Sequence, residues 1–116
     1  MKKLALLLAL FATTASAENT LFPFSQSQRY INQTLCHTAT VIVTRDIHSK
    51  EYERFLKITA DIQRENNLSD VDTVGGMMWA LGYAKGTFVS ASGMIGITEI
   101  EYAKKVINDV CSKASK

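Results

Sequence analysis

The run TEIEYAKKVINDVC, residues 98–111, decides the fold class. Thr98 and Glu101 stand at the spacing of a capping box, in which a hydroxyl at the helix start satisfies an amide that has no intrahelical partner. Ile97 and Tyr102 occupy the two positions of a hydrophobic staple across that start. Tyr102, Ala103, Val106, Ile107 and Val110 then recur at helical spacing, while Lys104, Lys105 and Asp109 fall on the other side. The spacing predicts an amphipathic helix from Thr98 to about Cys111.

The same test applied upstream gives three more helices. Gln28 to about Arg45 carries Ile31, Leu35, Ala39 and Ile42 at steps of four and three. Its Thr- and Val-rich end, Thr38 to Thr44, also suits a strand. Ser49 to about Arg64 opens on a good N-cap, with Glu51 and Glu53 where the helix dipole favours acids. Its expected inner face is Tyr52, Phe55, Leu56, Thr59 and Ile62. Ser69 opens a third helix, with Asp70 and Asp72 in the first turn and Val71, Val74, Met78, Leu81 and Phe88 along one side. Gly75, Gly76, Gly82 and Gly86 each cost about 1 kcal/mol against Ala in a helix. Close approach of a neighbouring backbone is the simplest return on that cost. Ser90 to Gly96 is expected to be a small-residue loop. The sum is one small all-α domain, a bundle of about four helices.

Residues 1–17 are set apart from that domain. Lys2 and Lys3 precede an apolar run from Leu4 to Phe11, then Ala15-Ser16-Ala17. These are the n-region, h-region and A-x-A site of a secretory signal peptide, too short to span a bilayer. The expected product is residues 18–116, exported to the periplasm or secreted, with no membrane insertion after cleavage. Cleavage removes two of 13 basic residues and none of 11 acidic ones, so the mature chain carries no net charge with His neutral. It has no basic stripe, so no nucleic-acid partner is expected.

Cys36 and Cys111 are the only cysteines. Export places them where an exclusive pair becomes a structural disulfide. Closing a loop of about 76 residues stabilises by about 4.5 kcal/mol in the chain-entropy account. Residues 18–28 form an arm. Leu21-Phe22-Pro23-Phe24 is not expected to continue a helix through Pro23. Its three large apolar residues must cover this domain's core or a partner.

Few residues suggest chemistry. His37 and His48 lack metal-ligand spacing and are expected on the surface. The acid pairs Glu51/Glu53 and Asp70/Asp72 are explained by the helix dipole without acid–base catalysis. No P-loop, GxSxG or HExxH occurs. No cofactor or metal is expected. Met77 to Ile97 is the most apolar internal window, with Lys85 as its one charge. As a membrane span it would hold Lys85 near mid-bilayer at a cost of about 2.5–3.5 kcal/mol. A buried helix is the expectation, although Gly82-x-x-x-Gly86 has the form of a membrane dimer motif.

Trp79-Ala80-Leu81-Gly82-Tyr83-Ala84-Lys85-Gly86 has the form W-x-x-G-Y-x-x-G. With one cysteine in the first helix and another ending the last, the chain resembles the HdeA/HdeB-like group of small periplasmic helical proteins. That resemblance implies one disulfide and an acid-activated chaperone. The same glycine-tyrosine helix followed by a capped helix is similar to periplasmic immunity proteins of type VI secretion amidase effectors. That similarity implies a surface that blocks a cell-wall hydrolase. Both imply a non-enzymatic protein whose partners are other proteins, a second copy of the chain among them. The candidate binding residues are Leu21, Phe22 and Phe24 in the arm, and Met77, Met78, Trp79 and Tyr83 in the third helix.

Overall fold

The computed structural model describes residues 21–112; residues 1–17, expected to be a signal segment, and residues 18–20 of the expected arm lie outside them. After a helical segment at 21–25, the described residues form four longer α-helices and no strand: α1 (Gln28–Thr44), α2 (Lys50–Glu65), α3 (Asp70–Ile95) and α4 (Glu99–Val106). A π-helical turn, Ile107–Cys111, prolongs α4. Each start is capped by the hydroxyl that precedes it. Ser27, Ser49, Ser69 and Thr98 accept from the amides of Tyr30, Tyr52, Asp72 and Glu101. At α4 the Thr98 hydroxyl also donates to the Glu101 carboxylate, 3.2 Å away.

The Thr/Val-rich end of α1 is helical through Thr44. Thr40 and Thr44 turn their hydroxyls back onto the carbonyls of Cys36 and Thr40. That bond lets a β-branched threonine sit in a helix.

Two expectations are corrected here. Residues 21–25 are helical despite Pro23. The bonds that close this turn run from the amides of Gln26 and Ser27 to the carbonyls of Phe22 and Phe24, and neither needs a donor at Pro23. The stretch Ser90 to Ile95 is also helical, not a loop. Gly93 is tolerated inside α3, and the helix stops at Gly96. Gly96 takes the left-handed conformation (φ 72°) and returns its amide to the Ser92 carbonyl.

α1 is the central element and packs on each of the other three. Two core clusters lie along it. One joins Phe24, Tyr30, Phe55, Ile58, Ile62 and Ala80. The other joins Cys36, Ala39, Phe88, Ala103, Val106 and Cys111. In the first, Tyr30 stacks on Phe55 with ring centroids 5.3 Å apart, and Phe24 leans on Tyr30 at 5.2 Å. The Tyr30 hydroxyl shares a 3.0 Å hydrogen bond with Thr59, and burial pushes its pKa up to about 12. The second cluster contains the Cys36–Cys111 disulfide, which ties α1 to the end of the last helix. Among the described residues no cysteine is free.

α1 turns a different face inward than its aliphatic spacing suggests. Tyr30, Gln33, Thr34, Cys36, His37 and Ala39 are buried, while Ile31, Leu35 and Ile42 are half-buried. The buried Gln33 and Thr34 side chains find hydrogen-bond partners, which offsets the cost of their burial. Gln33 donates to the Glu51 carbonyl and carboxylate at 2.9 and 2.8 Å, and Thr34 donates to the Tyr30 carbonyl at 2.7 Å. In α2 the inner face is Phe55, Ile58, Thr59 and Ile62. Tyr52 is half-buried and Leu56 exposed.

Candidate functional site

The candidate site is the outward face of α3, and it is built by what that helix turns inward. Its buried residues are Thr73, Gly76, Ala80, Ala84, Phe88 and Ser92, mostly four apart. Except for Phe88 they are small. A Cβ placed on Gly76 would come within 3.0 Å of three carbons of the Phe24 ring. Phe24 therefore lies against bare backbone, and only glycine fits beneath it. Ala80 joins the same aromatic cluster. Farther along, Phe88 enters the disulfide cluster edge-on to Tyr102, at 5.3 Å between centroids.

Small residues inward leave large ones outward. Val71 is 82% exposed and Met78 67%, and Val74, Tyr83, Val89, Met94 and Ile95 are also exposed. This corrects two expectations. Val71, Val74 and Met78 do not form the inner stripe, and the apolar window from Met77 is not a buried helix. Between Thr73 and Ile95 the only charge is Lys85, whose Nζ lies 3.0 Å from Glu99 Oε2. Trp79, half-buried, stacks on Tyr83 at 5.6 Å. A shallow trough beside Tyr83 is lined by Gly82, Gly86, Thr87, Ser90, Ala91 and Met94. No described helix is long and apolar enough to cross a membrane.

The glycines divide the same way. Gly76 alone has a neighbour to accommodate, and that neighbour is a side chain, not a backbone. Around Gly75, Gly82, Gly86 and Gly93 a Cβ would meet nothing within 4 Å. Each of these four costs about 1 kcal/mol against Ala in a helix interior, with no return inside the monomer.

The candidate binding residues thus separate. Met78 and Tyr83 are exposed on the outer part of α3, whereas Trp79, half-buried, packs against the Phe24–Tyr30 cluster as well as on Tyr83. Met77 is half-buried against the Phe24–Tyr30 cluster. Phe22 is exposed and Leu21 half-buried, but Phe24 is wholly buried and offers no surface in this state. The arm therefore covers the chain's own core through Phe24.

One titratable group was misplaced by sequence reasoning. His37 is 8% exposed, not a surface residue. Its ring lies against Tyr52 at 5.0 Å and stacks on Phe55 at 5.5 Å. Its Nδ1 is buried without a hydrogen-bond partner. Burial pushes its pKa below the usual histidine value, opposed by the nearby Glu51 carboxylate. His48 is exposed, with its ring edge toward Tyr52 at 5.9 Å. No sequence signal marks His37, because its burial comes from residues of α2. Among the described residues no three His, Cys, Asp or Glu side chains are grouped to hold a metal.

No family model, no curated protein and no solved structure matches this chain.

Proposed function

We propose that this chain is a non-enzymatic periplasmic protein that binds other proteins through the outward face of α3, and that it serves as an acid-activated chaperone of the HdeA-like kind. The observation that carries this reading is the run of exposed apolar side chains from Val74 to Ile95, a stretch whose one charge, Lys85, is paired with Glu99. Soluble chains rarely leave such a face bare unless it contacts something. The disulfide supports an oxidising compartment.

Acid responsiveness draws on His37. Its imidazole is held in an aromatic pocket that favours the neutral form. Protonation there places a charge between Tyr52 and Phe55 and loosens the α1–α2 packing. The disulfide limits how far the chain opens.

The test is suppression of aggregation of an unrelated acid-denatured protein, at about pH 2–3 against about pH 7. The chaperone reading expects suppression at low pH. If suppression is absent there and one cell-wall hydrolase is inhibited at neutral pH, the chain is an immunity protein that uses the same surface.

A further inference from the structure

Three methionines follow the expected signal segment, and the fold treats them unequally. Met77 is half-buried against the Phe24–Tyr30 cluster. Met78, the next residue, is 67% exposed, and Met94, at 87%, is the most exposed large apolar residue described. The two exposed thioethers serve different parts of the outward face of α3. Met78 follows Val71 and Val74 at the seven- and four-residue spacings that stack side chains along a helix, and both valines are exposed. Met94 lines the trough beside Tyr83.

Sulfur separates these two side chains from the other apolar groups of the face. A valine or isoleucine is inert to two-electron oxidants that convert a thioether to its sulfoxide. In many chains a thiol would be consumed first. Here Cys36 and Cys111 are the only cysteines, and both are buried in their disulfide. Met78 and Met94 therefore carry the first sulfur atoms that such an oxidant meets. Acid does not protect them. A thiol reacts as its thiolate, which acid removes, whereas a thioether has no proton to lose.

We infer that Met78 and Met94 are a pair of oxidation sites through which a hypohalous acid switches off protein binding by the outward face of α3. With hypochlorous acid, the sulfur lone pair attacks chlorine and hydroxide departs. Water then adds to the chlorosulfonium sulfur, chloride leaves with the S–Cl bonding pair, and protons pass to solvent. The net products are the sulfoxide, chloride and one proton; sulfur loses two electrons and chlorine gains two. Each sulfoxide puts a strong hydrogen-bond acceptor where an apolar side chain stood. An apolar client segment that covered it would strip its water and offer no donor in return. The fold is untouched, because both side chains project into solvent. Reversal falls to sulfoxide reductases, one for each epimer at sulfur.

The inference deepens the proposed function: it rests on the reading of this face as a protein contact and names a chemical control on it. The mature, disulfide-bonded chain is treated with hypochlorous acid in small steps at neutral pH, and the sulfoxides are mapped by fragmentation mass spectrometry. Met78 and Met94 are expected to oxidise at least about 5-fold faster than Met77. Once both are converted, the chain should elute earlier from a hydrophobic-interaction column and keep its thermal midpoint. It should also need at least about 5-fold more protein for half-suppression of client aggregation at low pH. Met78→Leu with Met94→Leu should preserve retention and suppression through the same treatment, while Met77→Leu should protect neither. Three results would each overturn the inference: sulfoxide at Met77 as early as at its neighbour, an oxidised chain that behaves like the untreated one, or a leucine-pair chain that still loses retention on treatment. An untreated chain that suppresses nothing overturns the proposed function instead, and the sulfoxide map and the column then decide the oxidation sites alone.

Discussion

Gly75 and Gly76 are neighbours in sequence and opposites in structure. Gly76 lies under the Phe24 ring, and a single added carbon there collides with it. Gly75 faces open space, as do Gly82, Gly86 and Gly93. The two sides of α3 thus use the same residue for different ends. On the inner side glycine is a packing residue that lets an aromatic ring reach backbone. On the outer side it has no task within the chain, and its cost points to a contact the monomer does not make. An apolar helix is not for that reason a buried one: α3 spreads its apolar residues around its circumference and buries its small ones.

Removing the ring should give the largest effect. Phe24→Ala is expected to cost about 3–5 kcal/mol, measured by thermal or denaturant unfolding. Were the arm a detachable leader, the change would be close to neutral. Gly76→Ala comes next, at about 1–3 kcal/mol, because the ring must shift. The two should couple. In the Phe24→Ala background the same glycine change should cost little, and a double-mutant cycle reads that difference.

Acid should reach the inner side in a defined window. The folded pKa of His37 lies below its unfolded value of about 6.5. The unfolded state therefore binds the proton first as pH falls. Stability from the neutral ring is fully present above about pH 6.5, is lost as pH falls from there through the folded pKa, and changes no further below it. His37→Gln should flatten this part of a stability–pH curve. His48→Gln, at an exposed ring, serves as the control.

The outer glycines should respond in the opposite sense to Gly76. Gly82→Ala and Gly86→Ala are each expected to raise monomer stability by about 1 kcal/mol. A loss at either would mean that the outer face packs against something within the chain. Smallest of all, Met78→Ser is expected to change monomer stability by less than about 0.5 kcal/mol despite removing a large apolar side chain.

The helix starts were legible because each is a local event. Ser49, Ser69 and Thr98 cap the amides three residues on, as their spacing implies. Cys36 and Cys111 were legible as an exclusive pair. The facing of α3 was not, for a physical reason. A helix apolar on every side carries no direction in its own sequence, so Val71, Val74 and Met78 look like an inner stripe. What orients the helix is the Phe24 ring, far away in the chain, which needs Gly76 beneath it. The Ser90–Ile95 stretch misled in a similar way. Its small residues resemble a loop, but only Gly96 takes the left-handed conformation that ends a helix. His37, Gln33 and Thr34 illustrate the same limit from the polar side. Their burial is made tolerable by Glu51, Tyr52 and Phe55 of α2 and by the Tyr30 carbonyl, and no local pattern announces such partners. Part of the candidate site was nevertheless in view, since Met78 and Tyr83 do stand exposed on the outer part of α3. Val89 and Met94 were missed because Val89 borders, and Met94 lies within, what looked like a loop.

The central claim is that the outward face of α3 binds protein while contributing little to the fold. Val71→Lys with Met78→Lys tests it most directly, because lysine stays charged at every pH of interest. Suppression of aggregation at about pH 2–3 and thermal stability at about pH 7 are measured on the same preparation. Suppression should be lost with the thermal midpoint nearly unchanged. Full suppression by the doubly substituted chain would contradict the claim.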